Sequence, residues 1–359
     1  MLAGCGASAE ICYDGLEILS LPLELRRKTP RGVIAHAVRS RGYRRRFDDL
    51  VERVRGADAV VVVAHVPGSL SRHTLQNIGR LRARCRKLPI VNYDLVYLPT
   101  VEKWGPAMLH GERDGMSPDE LKLITPRPYG LERYDWYLVG SPVSELSMPP
   151  GPQPFSWIGI DIDDGTLYPA QGKRFHLLLD FEQNRGNYPA FRKVQLEALK
   201  EAGTSYEILE GRYSREEIRA KYREAGALML AHRESFGLPI AEVQACGGQI
   251  FLPRAEWAGA HWIKQRLSDP GPGKHSSNFV VYRHTVDGLV DKLVTAEQSF
   301  DPTSRLETFM KCHPQLYRGD REVLKKFLAR LDSGAIHGRL HREHAGVGRN
   351  RPARKRAAK

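Results

Sequence analysis

The chain has 359 residues, 41% of them apolar, and carries 55 Lys and Arg against 42 Asp and Glu, a formal net charge of +13. That length suggests about two domains with substantial cores, and no apolar run approaches the roughly 20 residues that span a bilayer. Cys5, Cys12, Cys85, Cys246 and Cys312 lie far apart without a C-x-x-C, which speaks against a zinc site or a disulfide framework and fits a reducing cytoplasm.

Leu2-Ala3-Gly4-Cys5 has the form of a lipoprotein processing box, but nothing apolar or basic precedes it, so no signal peptide is expected. Arg39 to Phe47 interleaves charge with aromatics (R-S-R-G-Y-R-R-R-F). Residues 57–65, A-D-A-V-V-V-V-A-H, form the clearest strand of the first half. A helix near 69–87 follows, loaded with Arg80, Arg82, Arg84, Arg86 and Lys87 at its end, where cations are favourable in themselves. Strands are expected at 88–94 and 134–139, and the alternation of strand with helix predicts a doubly wound parallel sheet. Pro149, Pro150, Pro152 and Pro154 mark 149–157 as a stiff linker between a first lobe, 1–148, and a second, 158–337. Asp161, Asp163 and Asp164 suggest a metal loop, but the nearby glycine falls one position early for an EF-hand.

In the second half a strand is expected within 174–181 and a helix over Pro189 to Ala202. Ser214 and Glu217 have capping-box spacing at the start of another helix. Ala227 to His232 reads as a buried strand, Gln249 to Pro253 as the next, and Ser277 to Tyr282 as a third. Helices at 286–296 and 320–331 close the lobe. Gly271-Pro272-Gly273-Lys274-His275 is no phosphate loop, because Ser268 and His275 stand where the first glycine and the hydroxyl belong, and it reads as a flexible loop. Between the first two of these strands lies Glu234-Ser235-Phe236-Gly237-Leu238-Pro239-Ile240-Ala241-Glu242. Pro239 suits a first helical turn and Gly247-Gly248 a stop. Strand, glycine-containing loop, helix and strand together put Glu234 at the carboxyl end of a parallel strand, beside the positive end of a helix. An anion is at home there.

This nonapeptide resembles the signature of retaining glycosyltransferases of the GT-B fold (group 1, family 4-like), two glutamates separated by seven residues in E-x-F/G-G-L-P-x-x-E. The intervening S-F-G-L-P-I-A carries the resemblance more than the glutamates do. It implies an α/β protein of two Rossmann-like doubly wound lobes facing each other across a cleft. It further implies a hexosyltransferase-like enzyme that moves a sugar from a nucleotide-sugar donor to an acceptor hydroxyl with retention of anomeric configuration, with no metal and no cofactor. Whether the donor carries UDP or GDP stays open. In the family the first glutamate faces the donor sugar and the second binds the ribose, roles that fall to Glu234 and Glu242. Backbone N–H groups of Phe236, Gly237 and Leu238 would meet sugar hydroxyls or diphosphate. His65, at a strand end, would contact the donor from the opposite lobe, and Asp94 has similar standing. The family carries G-R-x-x-x-x-K after the first strand of the second lobe, and this chain departs from it. Arg185 in Asn184-Arg185-Gly186 fits best, Lys193 less well, since Arg192 and Lys193 fall on the following helix at positions that can face outward. The family's glycine-rich acceptor loop is not recognisable.

Because the first lobe usually holds the acceptor, Arg41, Arg44, Arg45 and Arg46 point to a phosphate-bearing or membrane-associated one, a glycan, a lipid-linked sugar or another hydroxyl. Residues 338–359 carry eight basic side chains and one acidic, without apolar periodicity. They read as a disordered tail that aids solubility or touches anionic membrane or nucleic acid. Cytoplasmic placement follows, with peripheral contact at the inner membrane face left open. Two other readings stand beside the enzyme: an idle GT-B-like protein that binds nucleotide or glycan, and a nucleic-acid-directed glycosyltransferase or binder, marked by the basic tail.

Overall fold

A computed structural model describes residues 5, 7, 45–64, 72–94, 134–143, 154–162, 165–181, 188–267, 269 and 271–336. Within them lie two separate parallel sheets with flanking helices, the arrangement of a GT-B-like pair of Rossmann-like lobes.

The first sheet contains β1 (Val60–Ala64), β2 (Ile90–Asp94), β3 (Trp136–Val139) and β4 (Phe155–Trp157), in that spatial order and all parallel. A helix α1 over 45–54 and α2 (Arg72–Arg84) accompany it. β3 is buried along its whole length, as expected where both faces of a parallel sheet are covered. Tyr137, Val139 and Ile90 pack with Phe47, Val51 and Val54 of α1 and Ile78 and Leu81 of α2. On the other face Val91, Trp136 and Leu138 meet Leu324, Phe327 and Ile336 from the far end of the chain.

The second sheet is five-stranded and wholly parallel, in the order β6-β5-β7-β8-β9. Its strands are β5 (Leu177–Leu179), β6 (Tyr206–Ile208), β7 (Ala227–Met229), β8 (Gln249–Leu252) and β9 (Phe279–Val281). Between and after them run α3 (Tyr188–Ala202), α4 (Arg215–Glu224), α5 (Leu238–Ala245), α6 (Val286–Gln298), α7 (Pro302–Cys312), α8 (Pro314–Tyr317) and α9 (Arg321–Asp332). Leu178, Leu228, Ile250 and Leu252 face α4, α5 and α7 through Tyr222, Ile240, Val243 and Phe309. Leu177, Leu179, Met229 and Phe251 face α3 and α6 through Ala198, Leu199, Leu289 and Leu293. Successive side chains of a strand point to opposite faces, so a two-residue period produces both layers. The capping box opens α4 as expected: Glu217 N–H donates to Ser214 Oγ at 3.2 Å, and Ser214 N–H donates to Glu217 Oε2 at 2.7 Å.

The chain crosses between sheets twice at one place. Gly159, at φ 69°, donates its N–H to Val139 O at 3.1 Å, and a Cβ there would overlap the backbone of Gln315. On the return path Asp320 N–H donates to Ile158 O at 2.8 Å, and α9 then lies on the first sheet, with Phe327 against Trp136. β4 opens directly after Pro154, inside the span expected as a linker, and is an edge strand among the described residues. The loop over 271–275 is pinned, not free: Ile263 and Lys274 exchange backbone hydrogen bonds at 2.7 and 3.1 Å. No helix among the described residues is long and apolar enough to cross a membrane.

Candidate active site

Strand order in the second sheet reverses at β5, whose neighbours are β6 on one side and β7 on the other. In open parallel sheets ligands bind beyond the carboxyl ends of the strands at such a reversal. Asp180 follows β5 there, and Leu230 to Glu234 follow β7. The β7 ladder stops at Met229, short of the expected His232, because Ala231 N–H turns to the Asp180 side chain, donating to Oδ2 at 3.0 Å.

Asp180 is the hub of a buried network. Its Oδ1 accepts from Arg192 Nη2 at 2.6 Å, Oδ2 lies 2.6 Å from Nδ1 of His232, and the Tyr188 hydroxyl, 3.3 Å from Oδ1, has its shortest acceptor in Phe181 O at 2.7 Å. Arg192 Nη2 also donates to the Asp180 carbonyl at 2.6 Å. Breaking a buried ion pair leaves a charge uncompensated; the Asp180 carboxylate is held by Arg192, His232 and Ala231 N–H, whereas Arg192 Nε and Nη1 have no hydrogen-bond partner among the described residues. On its other side His232 places Nε2 3.6 Å from Oε2 of Glu234, an ion-pair distance. Burial works against charge on His232, yet Asp180 and then Glu234 raise its pKa to about 9.

Glu234 keeps about a third of its side chain exposed (32%). Its Oε1 accepts from the N–H groups of Ser235 at 2.9 Å and Phe236 at 3.2 Å. Burial pushes its pKa up, but His232 and the N–H groups of Phe236 and Ser235 outweigh burial and hold it below the usual carboxylate value. The backbone carrying it is clamped. Ala258 N–H donates to Glu234 O at 2.6 Å, Ala260 N–H to Ser235 O at 2.9 Å, and His261 Nε2 to Phe236 O at 2.8 Å. His261 must donate from Nε2, since a carbonyl only accepts, and burial, with His313 next to it, keeps it neutral by lowering its pKa well below the usual value. The Ser141 hydroxyl, beyond β3 of the first sheet, lies 3.3 Å from both Val143 O and Ala260 O, so the loop that holds Glu234 touches both lobes.

The chain then turns through Gly237 at φ 55° into α5, whose N-terminus is capped by no side chain and has Pro239 in its first turn. Ile240 and Ala241 N–H donate to Gly237 O at 2.9 and 3.4 Å and Pro239 has no N–H, so what this end offers an anion is chiefly its positive dipole. Glu242, on α5, turns toward α4. Its Oε1 accepts from Arg219 Nε at 3.1 Å and Nη2 at 2.8 Å, and Arg219 Nη1 donates to Thr166 Oγ1 at 2.6 Å. At the other end of α5, Lys173 Nζ donates to Cys246 O at 2.5 Å, and burial lowers its pKa to about 8.

Of the residues read from sequence, Glu234, Phe236, Gly237, Leu238 and Glu242 gather on this loop and helix. His65, Arg185, Arg41 and Arg44, and the tail 338–359, lie outside the described residues. Lys193 stands on the solvent side of α3, 77% exposed and 3.9 Å from Glu197. Its neighbour Arg192, for which an outward position was open, points inward to Asp180. Arg45 and Arg46 are exposed on α1, but Phe47 between them and Val51 is core. Asp180, His232, Tyr188 and Arg219 were not singled out from sequence, and Arg192 was considered only as an outward-facing cation. Asp180 had a usable signal, a charge directly after Leu177-Leu178-Leu179 at a strand's carboxyl end. Among the described residues no group of three or more His, Cys, Asp or Glu is placed to hold a metal. A recess of about 360 Å³ lined by Arg55, Arg84, Arg86 and Lys87 lies before β1 and β2, at the amino ends of the first sheet.

No protein-family model matches the chain, and no curated protein matches it in sequence. Among solved structures it is similar to an α,α-trehalose 6-phosphate synthase from Burkholderia multivorans, at 16% identity and a TM-score of 0.44 over 97% of this chain and 83% of that one. It is similar to the UDP-forming α,α-trehalose-phosphate synthase of Burkholderia vietnamiensis at 14% identity and 0.45, over 82% and 76%. The C-terminal domain of a group 1 glycosyl transferase, LpcC, from Francisella tularensis matches 44% of this chain over 95% of its own length, at 17% identity and 0.28. Likeness at this level says nothing of substrate or mechanism.

Proposed function

We propose that the chain is a retaining glycosyltransferase that moves a sugar from a nucleotide-sugar donor to an acceptor hydroxyl. One observation carries the reading: an ionised, partly exposed carboxylate, Glu234, at the strand-order reversal, seated beside the side-chain-free N-terminus of α5. A leaving diphosphate needs positive potential and a developing oxocarbenium ion needs negative potential, within one partly dry crevice. The helix end supplies the first and Glu234 the second. Glu242, fixed by Arg219, takes the ribose, and Arg185 is the cation assigned to the diphosphate. The reaction follows front-face displacement. The acceptor oxygen bonds to the anomeric carbon as the bond to the phosphate oxygen breaks, and that oxygen takes the acceptor's proton. The acceptor is a hydroxyl held by the first lobe, with Arg45 and Arg46 marking an anionic or membrane-associated one.

The test screens UDP- and GDP-sugars by thermal shift, since a bound donor raises apparent stability by mass action, and follows hydrolysis or transfer of those that bind. In Glu234→Gln, turnover should fall about a hundredfold or more while the shift by UDP or GDP survives. Unchanged turnover ends the assignment to Glu234. Binding without turnover in the unaltered protein makes the chain a recognition module instead.

A further inference from the structure

Nothing in the family resemblance assigns a part to His232. Its two ring nitrogens face two carboxylates, Asp180 Oδ2 at 2.6 Å from Nδ1 and Glu234 Oε2 at 3.6 Å from Nε2. A neutral imidazole has one N–H and one lone pair. In this position the lone pair of a neutral ring would face an ionised carboxylate whichever nitrogen carried it. The imidazolium alone offers a proton to both sides.

We propose that His232 is the positioning residue for Glu234, a fixed cation that holds the carboxylate ionised and turns Oε2 to a set direction, anchored in turn by Asp180. The inference deepens the reading above and takes its catalytic meaning from it, but its geometry stands independently. Among the described residues no other side chain pairs with Glu234: Oε1 is held by two backbone N–H groups, and His232 stands 3.6 Å from Oε2. Without His232 the carboxylate would swing about its terminal torsion, a broad and soft one. The anchor is rigid because it is shared. Arg192 and Tyr188, one helical turn apart on α3, both reach Asp180, and Ala231 N–H joins them. Among the described residues the charged and titratable groups around His232 are these. Asp180 comes from the end of β5, Glu234 from its own loop, and Tyr188 and Arg192 from α3, with the Tyr188 ring centroid 6.4 Å from the imidazole. Burial raises the Tyr188 phenol to about 12, so it stays neutral. Arg192 adds positive charge on the far side of Asp180, and the two carboxylates outweigh it.

The sequence holds this arrangement in two distant pieces. His232 and Glu234 are two positions apart, so both can point into one crevice from an extended segment. Asp180 joins them only because β5 and β7 are neighbours in the sheet.

The experiment uses the full chain labelled with ¹⁵N and ¹³C. His232→Asn retains a donor toward Asp180 but cannot reach Glu234, and His232→Gln reaches further but carries no charge. The His232 nitrogens, identified by their loss in the Asn variant, should report an imidazolium at pH 7.5. The Glu234 side-chain carbon should titrate about one pH unit or more higher in the Asn variant than in the unaltered protein. With any nucleotide-sugar the unaltered protein turns over, His232→Asn should lower kcat about tenfold to a hundredfold and leave KM within about threefold. Activity of the unaltered protein should fall as pH rises through about 9, His232→Asn should abolish that fall, and Gln should restore part of kcat. A neutral His232 at pH 7.5, or a Glu234 titration unmoved by His232→Asn, overturns the inference. If the unaltered protein turns over no nucleotide-sugar, the transferase reading fails, and the two titrations still decide the role of His232.

Discussion

A methyl group at position 237 would stand 2.8 Å from Cγ of Glu234 and 3.0 Å from the side chain of Ile240, on a backbone at φ 55°. Gly237→Ala should therefore cost about 1–2 kcal/mol of stability for the left-handed backbone alone. Displacement of Glu234 should lower turnover further than that loss explains. Thermal unfolding and donor turnover measured on one preparation separate the two, and unaltered turnover would show that Glu234 does not need this seat. Charge makes a second residue-level prediction. The folded pKa of His232, about 9, lies above the ordinary 6.5. Its charge thus contributes stability that is complete below about pH 6.5 and lost as pH rises through about 9. Glu234 works the other way, its contribution lost as pH falls below the ordinary carboxylate range. Urea midpoints should drop between pH 6.5 and 9.5, and His232→Asn should flatten that drop; an equal drop in the variant would assign it to another group. The placement of Glu234 and Glu242 on one loop and helix was legible in the sequence because their relation is local. Asp180 and His232 were not, since 52 positions separate them and only sheet order joins them. Arg192 and Lys193 show a finer limit: neighbours on a helix differ by roughly 100° in direction, and only the tertiary surroundings tell which faces the core.

At the scale of elements, what the sequence displayed was what repeats. Buried runs such as Leu177-Leu178-Leu179 and Gln249 to Leu252 stood out because both faces of a parallel strand demand apolar side chains. Two edge strands escaped notice. β6 has exposed or half-buried positions throughout, and β4 follows a run of prolines. α1 was hidden by its arginines, although Phe47, Val51 and Val54 recur at helical spacing and enter the core. α7 had a visible signal in Asp301, whose carboxylate accepts from Thr303 and Ser304 N–H groups just ahead of Pro302. α9 was read correctly as a helix, but its sequence did not reveal which sheet it serves. Leu324 and Phe327 pack on Val91, Trp136 and Leu138, and Arg330 lies over the Trp136 ring at 5.0 Å. Phe327→Ala should cost about 3–5 kcal/mol. Hydrogen exchange should place the lost protection first at Trp136 to Val139; loss confined to β5 and β7 would show that α9 stabilises the second sheet.

Among the described residues the two parallel sheets are joined by a doubled passage at Ile158, Gly159, Gln315 and Asp320, with a lighter contact between Ser141 and Ala260 beside the site. Charge is spread over this frame and also gathered beyond it: eight of the basic side chains fall in 338–359. The return of the chain bears on biosynthesis. Residues near position 327 leave the ribosome only after the second sheet has been made, yet they complete the apolar cover of the first. Domains generally fold in the order of synthesis, but here the lobe translated first must wait without Leu324, Phe327 and Ile336, part of the apolar cover of β2 and β3. Ribosome-bound chains halted with residues up to about 300 exposed should be cut by protease within the first 150 residues and spared around β5 and β7. The opposite pattern would mean that α9 is a late ornament. If the expected pattern holds, the older half of each nascent molecule is the one in need of a chaperone, and the last helix to emerge releases it.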